Sequence, residues 1–327
     1  MKKILLTLVC VFGMGIKASA LTSSAVLLQH NGNITTYAAK DIAKAMEDAA
    51  DGDEVFLNEG TYPGFTISKS IKIKGVGQET VIKNNIIIER SDDKIFDDLF
   101  IGYVYVENGI LKANSEIKKI TLSQCSITSS PGSSFHAVAE EVIVDRCDFR
   151  INLQYNYQAE ITVDGETKTY KTLYVKKFTA MNSKIYVSQG TSLSSYPLYS
   201  LINCYVELGG HSYGLNLINS IFAYAGMSTL EDSEFVNTTY YKNDIRSSWK
   251  LTGCYDVNNS GSTVDFNSTE EFLKENGYLG NDGTVVGPLG GNTPFTLVPT
   301  VPHVTEASLK VDPKKQELNA TLTVSPN

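Results

Sequence analysis

The chain has 327 residues with 36 acidic and 28 basic side chains, which give a formal charge of −8 at pH 7. Its four arginines are scattered and form no basic stripe. Because nucleic acids and anionic membrane surfaces attract clustered Lys and Arg, this balance excludes both as expected partners.

Residues 1–20 predict a secretory signal peptide. Lys2 and Lys3 form its charged end, Ile4 to Met14 form an apolar run, and small residues precede a cleavage site after Ala20. The run is shorter than the roughly twenty residues that span a bilayer, so we expect no membrane span. Cleavage removes three lysines and no acid, which moves the formal charge from −8 to −11. We therefore expect export to the periplasm, the cell surface or the medium.

Residues 21–52 predict an N-terminal segment that ends in a capping helix. Residues 21–36 are polar and are expected to be extended. Four apolar residues recur at helical spacing within 38–50, namely Ile42, Ala45, Met46 and Ala49. A helix at this place would cover the open end of a stack of parallel strands.

A short phrase recurs through the middle of the chain: an apolar residue, a polar one, then Asn, Asp or Ser, then Cys or Ser. Its last residue falls at seven positions, which are Cys125, Cys147, Ser183, Cys204, Ser220, Ser233 and Cys254. The intervals are 22, 36, 21, 16, 13 and 21 residues. Self-similarity of this length predicts a solenoid whose coils pack on their neighbours. Because the runs are short and rich in Val, Ile, Phe and Tyr, we expect an all-β protein with a right-handed parallel β-helix over residues 53–292.

All four cysteines that follow the signal lie at the same phase of this repeat. Equivalent positions of a parallel β-helix stack about 4.8 Å apart with parallel side chains. A disulfide instead needs the two thiols to swing into a dihedral of about 90°. A buried ladder of small residues is therefore favoured, and a disulfide between Cys125 and Cys147, on neighbouring coils, is the alternative.

The 36-residue interval before Ser183 is too long for one coil. Within it, residues alternate around Asp164-Gly165, a dipeptide typical of tight hairpin turns. We therefore expect a hairpin that projects from the solenoid near residues 158–172.

The end of the chain predicts a helix and a short extension. Ser268 and Glu271 have the spacing of a capping box, so a short helix is expected to begin there. Residues 293–327 predict a linker and a short β tail, which is either a small extension or part of a further domain.

Two stretches resemble known exported β-helix proteins. Gly52 to Tyr62, followed by Ile71 to Gly77, resembles the opening coils of the pectin-lyase-like superfamily. Asn281 to Gly291 is similar to the closing segment of exported Bacteroidetes β-helix proteins, which often carry Asp where this chain has Val285. The resemblance implies the fold and is nearly silent on activity.

That superfamily includes lyases, hydrolases and esterases, and this chain matches their active-site patterns only in fragments. His211 lies in a turn similar to the histidine turn of polygalacturonase-like hydrolases, but their Asp-Asp pair and Arg-x-Lys segment are missing. Arg146 and Arg150 would suit a lyase base, although exposed ion pairs on the outer wall are the favoured interpretation. We assign no catalytic residue and keep these three as weak candidates.

Grouped acids would be needed for Ca²⁺, the metal of many pectate lyases. Acids cluster at Asp92-Asp93, Asp97-Asp98 and Glu140-Glu141. Because neighbours on a strand point to opposite faces, these are expected to be solvated side chains of turns and walls. No metal site and no cofactor are assigned, and Ca²⁺ enters only with the lyase alternative.

Tyrosine gives the strongest functional hint, because nine of the 18 tyrosines lie in the middle coils, between Tyr155 and Tyr213. Tyr rings stack on sugar rings while the hydroxyl bonds to them, although stacking along the solenoid is an equally good use. The ligand-binding candidates are Tyr155, Tyr157, Tyr174, Tyr186 and Tyr205.

Two functions from different classes follow. We expect a monomeric, non-catalytic, exported β-helix that binds polysaccharide or cell-surface glycan, or that has a structural or adhesive role. The alternative is a divergent polysaccharide lyase or glycosidase acting on acidic glycans. It requires two carboxylates, or carboxylates with Arg or Lys, within about 10 Å on one face.

Overall fold

The structure is a computed structural model that describes most of the chain after residue 23. The described residues are 24–92, 94–128, 135–152, 158–163, 166–171, 175–188, 198–208, 212–213, 215–224, 230–231, 233–240, 249–257, 264–298, 303–312 and 317–325. Twenty-two strands form one continuous sheet that winds into a right-handed parallel β-helix. The predicted fold class is confirmed.

The strands are short and follow one another closely along the chain. The first coils contain β1 Ala25–His30, β2 Asn33–Ala38, β3 Glu54–Leu57, β4 Gly60–Ile67, β5 Lys72–Lys74, β6 Thr80–Ile88, β7 Phe96–Gly102, β8 Tyr105–Glu107 and β9 Leu111–Ser123. The middle contains β10 Ser126–Thr128, β11 Phe135–Asp145, β12 Asp148–Asn152, β13 Gln158–Val163, β14 Glu166–Lys171, β15 Val175–Met181, β16 Lys184–Ser188, β17 Leu198–Ile202 and β18 Tyr205–Leu208. The last part contains β19 Ser212–Tyr213, β20 Leu215–Ile218, β21 Ile221–Tyr224, β22 Leu230–Glu231, β23 Glu234–Val236, β24 Thr239–Tyr240, β25 Lys250–Thr252, β26 Tyr255–Asp256, β27 His303–Asp312 and β28 Glu317–Ser325.

The N-terminal cap consists of a hairpin and a helix. β1 pairs antiparallel with both β2 and β3, so residues 25–38 are a hairpin rather than only an extended segment. A 3₁₀ turn at Ala39–Asp41 leads into helix α1, Ile42–Asp48, which buries Ile42, Ala45 and Met46. The helix is shorter than the predicted span, and it caps the first coil together with the added antiparallel strand.

Within this continuous sheet, each coil contributes one strand to each of two long parallel stacks, which are called here the first sheet and the second sheet. The first sheet contains β3, β5, β7, β9, β11, β15, β17, β20, β23 and β25. The second sheet contains β4, β6, β8, β10, β12, β16, β18, β21, β24 and β26. The core lies between them, where one buried column is formed by Ile101, Leu122, Val144, Ala180, Leu201, Leu217 and Phe235.

One residue per coil turns the chain from the first sheet to the second in left-handed backbone conformation. This turn column, with φ between 46° and 61°, consists of Tyr103, Gln124, Arg146, Asn182, Asn203, Asn219, Asn237 and Gly253. Each amide from Tyr103 to Asn237 donates to a carbonyl of the following coil. Asn tolerates this conformation better than most residues, which explains its abundance in the later coils.

From Gln124 onward, the residue after each turn points inward and forms the small-residue ladder that the sequence predicts. Its members are Cys125, Cys147, Ser183, Cys204, Ser220, Thr238 and Cys254. Backbone amides donate along it to the next side chain, as from Cys147 to Ser183 Oγ at 3.0 Å and from Cys204 to Ser220 Oγ at 3.1 Å. The four thiols are free, and burial raises the pKa of Cys204 to about 12.

One member of the predicted repeat was wrong. Ser233 precedes β23, and its Oγ accepts from the Leu215 amide at the start of β20. The ladder position is Thr238, which follows the left-handed Asn237. The last intervals are therefore 18 and 16 residues instead of 13 and 21.

The insertion and the second helix depart from the regular coils. β13 and β14 pair antiparallel in the stretch where the sequence predicts a hairpin. Helix α2, Glu270–Glu275, begins one residue later than the predicted capping box. Its N-cap is Thr269, whose hydroxyl accepts from the Phe272 amide, while Ser268 Oγ accepts from the Asp265 amide.

After α2 the chain runs back along the turn column as a strap, residues 278–298. The Gly287 amide donates to the Asn219 carbonyl, Asn182 Nδ2 donates to the Gly290 carbonyl at 2.6 Å, and Gln124 Nε2 donates to the Val298 carbonyl at 2.6 Å. The strap therefore runs towards the N-terminal coils and buries the amide side chains beneath it. Residues 293–298, which the sequence assigns to a linker, belong to this strap.

Candidate ligand-binding face

The outer face of the first sheet carries acids that are paired with lysines. Lys176 Nζ lies 2.6 Å from Glu140 Oε1, and Lys177 Nζ lies 2.6 Å from Glu141 Oε1. Both glutamates lie outside, between the buried Ala139 and Val142, instead of on opposite faces. The hydrogen bond from Lys176 lowers the pKa of Glu140. In the described part of the chain, no three or more His, Cys, Asp or Glu side chains are grouped to hold a metal ion.

The three weak catalytic candidates are placed differently. Arg146 lies in the turn column, with its guanidinium bound to the Asp145 carboxylate at 2.7 and 2.9 Å and only 14% exposed. Arg150 lies on β12, and its side chain is outside the described residues, as is all of His211. The described contacts therefore give Arg146 a role in holding its turn.

The tyrosine candidates also divide. Tyr155, Tyr157 and Tyr174 lie outside the described residues. Tyr186 is half-buried on β16 and follows the buried Ile185, which places it on the outer face of the second sheet. Tyr205 is only 8% exposed because its ring packs against Phe266, so it belongs to a core contact.

Strand register builds a grid around Tyr186. Arg150 on β12 and Glu207 on β18 are its partners on the two neighbouring strands. Two residues earlier, the same strands align Asp148, Lys184 and Tyr205. Lys184 Nζ lies 3.8 Å from the Asp148 carboxylate, and both side chains are about one-third exposed, at 34% and 35%. Aromatic, basic and acidic groups thus share one outer face.

The ammonium of Lys184 also lies against a group of three aromatic rings, called here the aromatic shelf, which consists of Tyr205, Phe266 and Phe295. Its ammonium lies 3.8 Å from the centroid of the Phe266 ring. Phe266 packs edge-to-face on Tyr205 of the solenoid, with centroids 5.8 Å apart, and on Phe295 of the strap, with centroids 5.6 Å apart. The sequence gives no sign of this grouping, because no repeat or motif relates Lys184, Phe266 and Phe295.

The carboxyl pKa values that shift within the described residues all move downward. Hydrogen bonds from Arg90 lower the pKa values of Asp51 and Asp92, and one from Lys44 lowers that of Asp48. Burial acts to raise the pKa of Glu54, but hydrogen bonds and charges from nearby lysines outweigh it. A carboxyl that serves as a general acid near neutral pH needs the opposite shift.

No protein-family model, no curated protein and no solved structure matches this chain. Among the described helices, none combines the length and the hydropathy of a membrane-crossing segment. A function must therefore be inferred from the geometry and charges of the outer faces.

Proposed function

We propose that this chain is an exported, non-catalytic β-helix protein that binds a polysaccharide on the outer face of its second sheet. The observation that carries the proposal is that Tyr186 pairs in strand register with Glu207 and that both side chains are half-buried. Lys184 lies on the same face, two residues earlier on the strand. A tyrosine ring stacks on a sugar ring, and charged groups beside it bond to sugar hydroxyls.

The shape of a solenoid supports a polymer as the ligand. Stacked coils repeat about every 4.8 Å and give a long, shallow surface rather than a closed cavity. Such a surface contacts several units of a chain at once. The formal charge of −11 that remains after removal of residues 1–20 further favours a polymer that is not itself strongly anionic.

The charge pairing supports binding without cleavage. A glycosidase needs two carboxyl groups, one of which keeps its proton near neutral pH. On the described outer faces, Asp145 is paired with Arg146, and Asp148 with Lys184. Nothing in the described contacts favours the alternative of a lyase or glycosidase acting on acidic glycans. A structural or adhesive role remains as an outcome of the test below.

Export and origin are proposed from the sequence. The signal-like residues 1–20 support passage to the periplasm, the cell surface or the medium. The opening and closing segments support a place among exported Bacteroidetes proteins of the pectin-lyase-like superfamily.

The proposal is tested with residues 21–327 in gels loaded with dextran, xylan, polygalacturonate or hyaluronan, with and without Ca²⁺. We expect retardation by at least one polysaccharide. Tyr186→Ala should raise its Kd about fivefold to tenfold, because a stacked aromatic ring is worth roughly 1 kcal/mol beyond its buried area. Tyr37→Ala is the matched control, since Tyr37 lies on β2 of the N-terminal hairpin, outside the second sheet.

Two results would contradict the proposal. Retardation by none of the four polysaccharides would remove the binding function and leave a structural role. Release of reducing ends, or ultraviolet absorbance from unsaturated uronides, would show turnover and overturn the non-catalytic part.

A further inference from the structure

The end of the strap is anchored to the solenoid on both sides of Phe295. Before it, the Gly290 carbonyl accepts from Asn182 Nδ2 at 2.6 Å. After it, the Thr296 and Val298 carbonyls accept from Gln124 Nε2 at 3.0 and 2.6 Å. The Phe295 amide itself donates to the Pro288 carbonyl at 2.7 Å. The backbone at Phe295 is therefore fixed by contacts that lie outside the ligand-binding face.

Phe295 in turn holds Phe266 in place. The two rings meet edge-to-face at 82°, and Phe266 meets Tyr205 at 70° on its other contact. Tyr205 is a strand residue of the solenoid, whereas Phe266 lies in the segment before α2. Phe266 is thus held between the strap and the second sheet, and loss of the Phe295 ring would remove one of its two edge-to-face contacts.

Phe266 supports the ammonium of Lys184. The ring centroid lies 3.8 Å from Lys184 Nζ, and the Asp148 carboxylate lies 3.8 Å from the same nitrogen. A lysine side chain has several freely rotating bonds, so without the ring its ammonium would sample many positions. The ring face therefore selects the position from which Lys184 meets a ligand next to Tyr186.

We infer that the strap is a working part of the binding face, because Phe295 and Phe266 together position Lys184 for the polysaccharide. This inference rests on the proposed function. Lys184 donates hydrogen bonds to the sugar oxygens, and Phe295 acts as a positioning residue that touches no ligand. Movement of the strap off the shelf lowers polysaccharide affinity although Tyr186 and Glu207 stay in place.

The first experiment reads the position of Lys184 without any ligand. Lysines of residues 21–327 are reductively methylated with ¹³C-formaldehyde, which keeps their charge, and the Lys184 signal is assigned with Lys184→Arg. Because the ammonium lies over a ring face, its methyl signal should lie upfield of the exposed lysines. Phe295→Ala should move it to the exposed position, whereas Phe295→Tyr, which keeps the ring, should preserve the upfield shift.

Pro294→Ala is the matched control, because Pro294 is exposed on the same part of the strap. It should leave the Lys184 signal unchanged. An unchanged signal in folded Phe295→Ala, with the circular dichroism of the parent chain, would overturn the inference.

The second experiment measures Kd for whichever of the four polysaccharides retards the parent chain most. Phe295→Ala should raise this Kd about fivefold, and Pro294→Ala should not change it. If Phe295→Ala moves the Lys184 signal but leaves Kd unchanged, the inference fails while the proposed function stands. If the parent chain binds no polysaccharide, the proposed function fails, and with it the assigned role of the strap in binding.

Discussion

The outer faces of the two sheets differ in how far they follow the repeat. On the first sheet, Asp98, Lys119, Glu141 and Lys177 stack in register, so charges alternate from coil to coil and neutralise each other. On the second sheet there is no such alternation, because an acid, a base and an aromatic residue follow one another at Asp148, Lys184 and Tyr205. The strap and the segment before α2 also cover part of this face. The outer face of the first sheet is explained by the hydration and mutual pairing of these charges. The second sheet departs from the repeat and is covered in part by residues from distant segments of the chain. Such departures are expected at functional sites.

The largest effect is expected where the strap meets the turn column. Gly291 has φ +74°, and a Cβ there would clash with Asn203 Nδ2 unless the strap or the amide moved. We expect Gly291→Ala to lower the free energy of unfolding by about 2–4 kcal/mol. Denaturant unfolding followed by the fluorescence of Trp249, the single tryptophan, measures this.

Gly283 provides the matched control for that change. Its φ is +77°, but a Cβ there would meet nothing within 4 Å. Gly283→Ala should therefore cost only the backbone strain, about 1–2 kcal/mol. Equal losses of unfolding free energy for Gly291→Ala and Gly283→Ala would mean that the strap is not in close contact with the turn column at Gly291.

A smaller effect is expected when one amide of the turn column is removed. Asn182→Gly keeps the left-handed backbone available but loses the hydrogen bond to the Gly290 carbonyl. Because Asn182 is only 4% exposed, the unpaired carbonyl stays shielded from water, and we expect a loss of about 1–2 kcal/mol. Asn237→Gly is the comparison, since Asn237 lies in the same column and is less buried. A larger loss at Asn237 would contradict the role assigned to the strap.

The smallest effect is expected on the first sheet, from Glu140. Its pKa is lowered from the usual 4.5 by the hydrogen bond and charge of Lys176. The stabilisation is therefore fully present above about pH 4.5 and is lost as the pH falls through the lower folded-state pKa. Glu140→Gln should change Tm at pH 7 by less than about 2 °C and should slightly reduce the loss of stability as the pH falls below about 4.5. A larger Tm change for Glu140→Gln than for Asn182→Gly would contradict this ranking, in which the outer face of the first sheet contributes less to stability than the contacts beneath the strap.

Much of the fold could be predicted from the sequence because a solenoid repeats its own signal. The ladder of Cys125, Cys147 and later members follows from one recurring phrase. The error at Ser233 shows the limit, since Leu230 to Ser233 fits the phrase, whereas the segment that forms the turn, Phe235 to Thr238, ends in Thr and does not. Only the pairing of Phe235 with Leu217 and Leu251 decides which one forms the turn.

The candidate site was less predictable. Tyrosine content pointed to Tyr186, but it pointed equally to Tyr205, which packing against Phe266 buries. Lys184, Phe266 and Phe295 are brought together across 82 and 111 residues of chain by coil register and by the path of the strap. Nothing in the composition of the strap sequence predicts which column of the solenoid it covers.

The most direct test of a binding face on the second sheet compares one lysine from each face in the same sample. The ¹³C-methylated chain is titrated with the polysaccharide, among dextran, xylan, polygalacturonate and hyaluronan, that retards it most. We predict that the signal of Lys184 on the second sheet moves with saturation while that of Lys177 on the first sheet stays in place. Movement of Lys177 with a stationary Lys184 would contradict the assignment of the binding face.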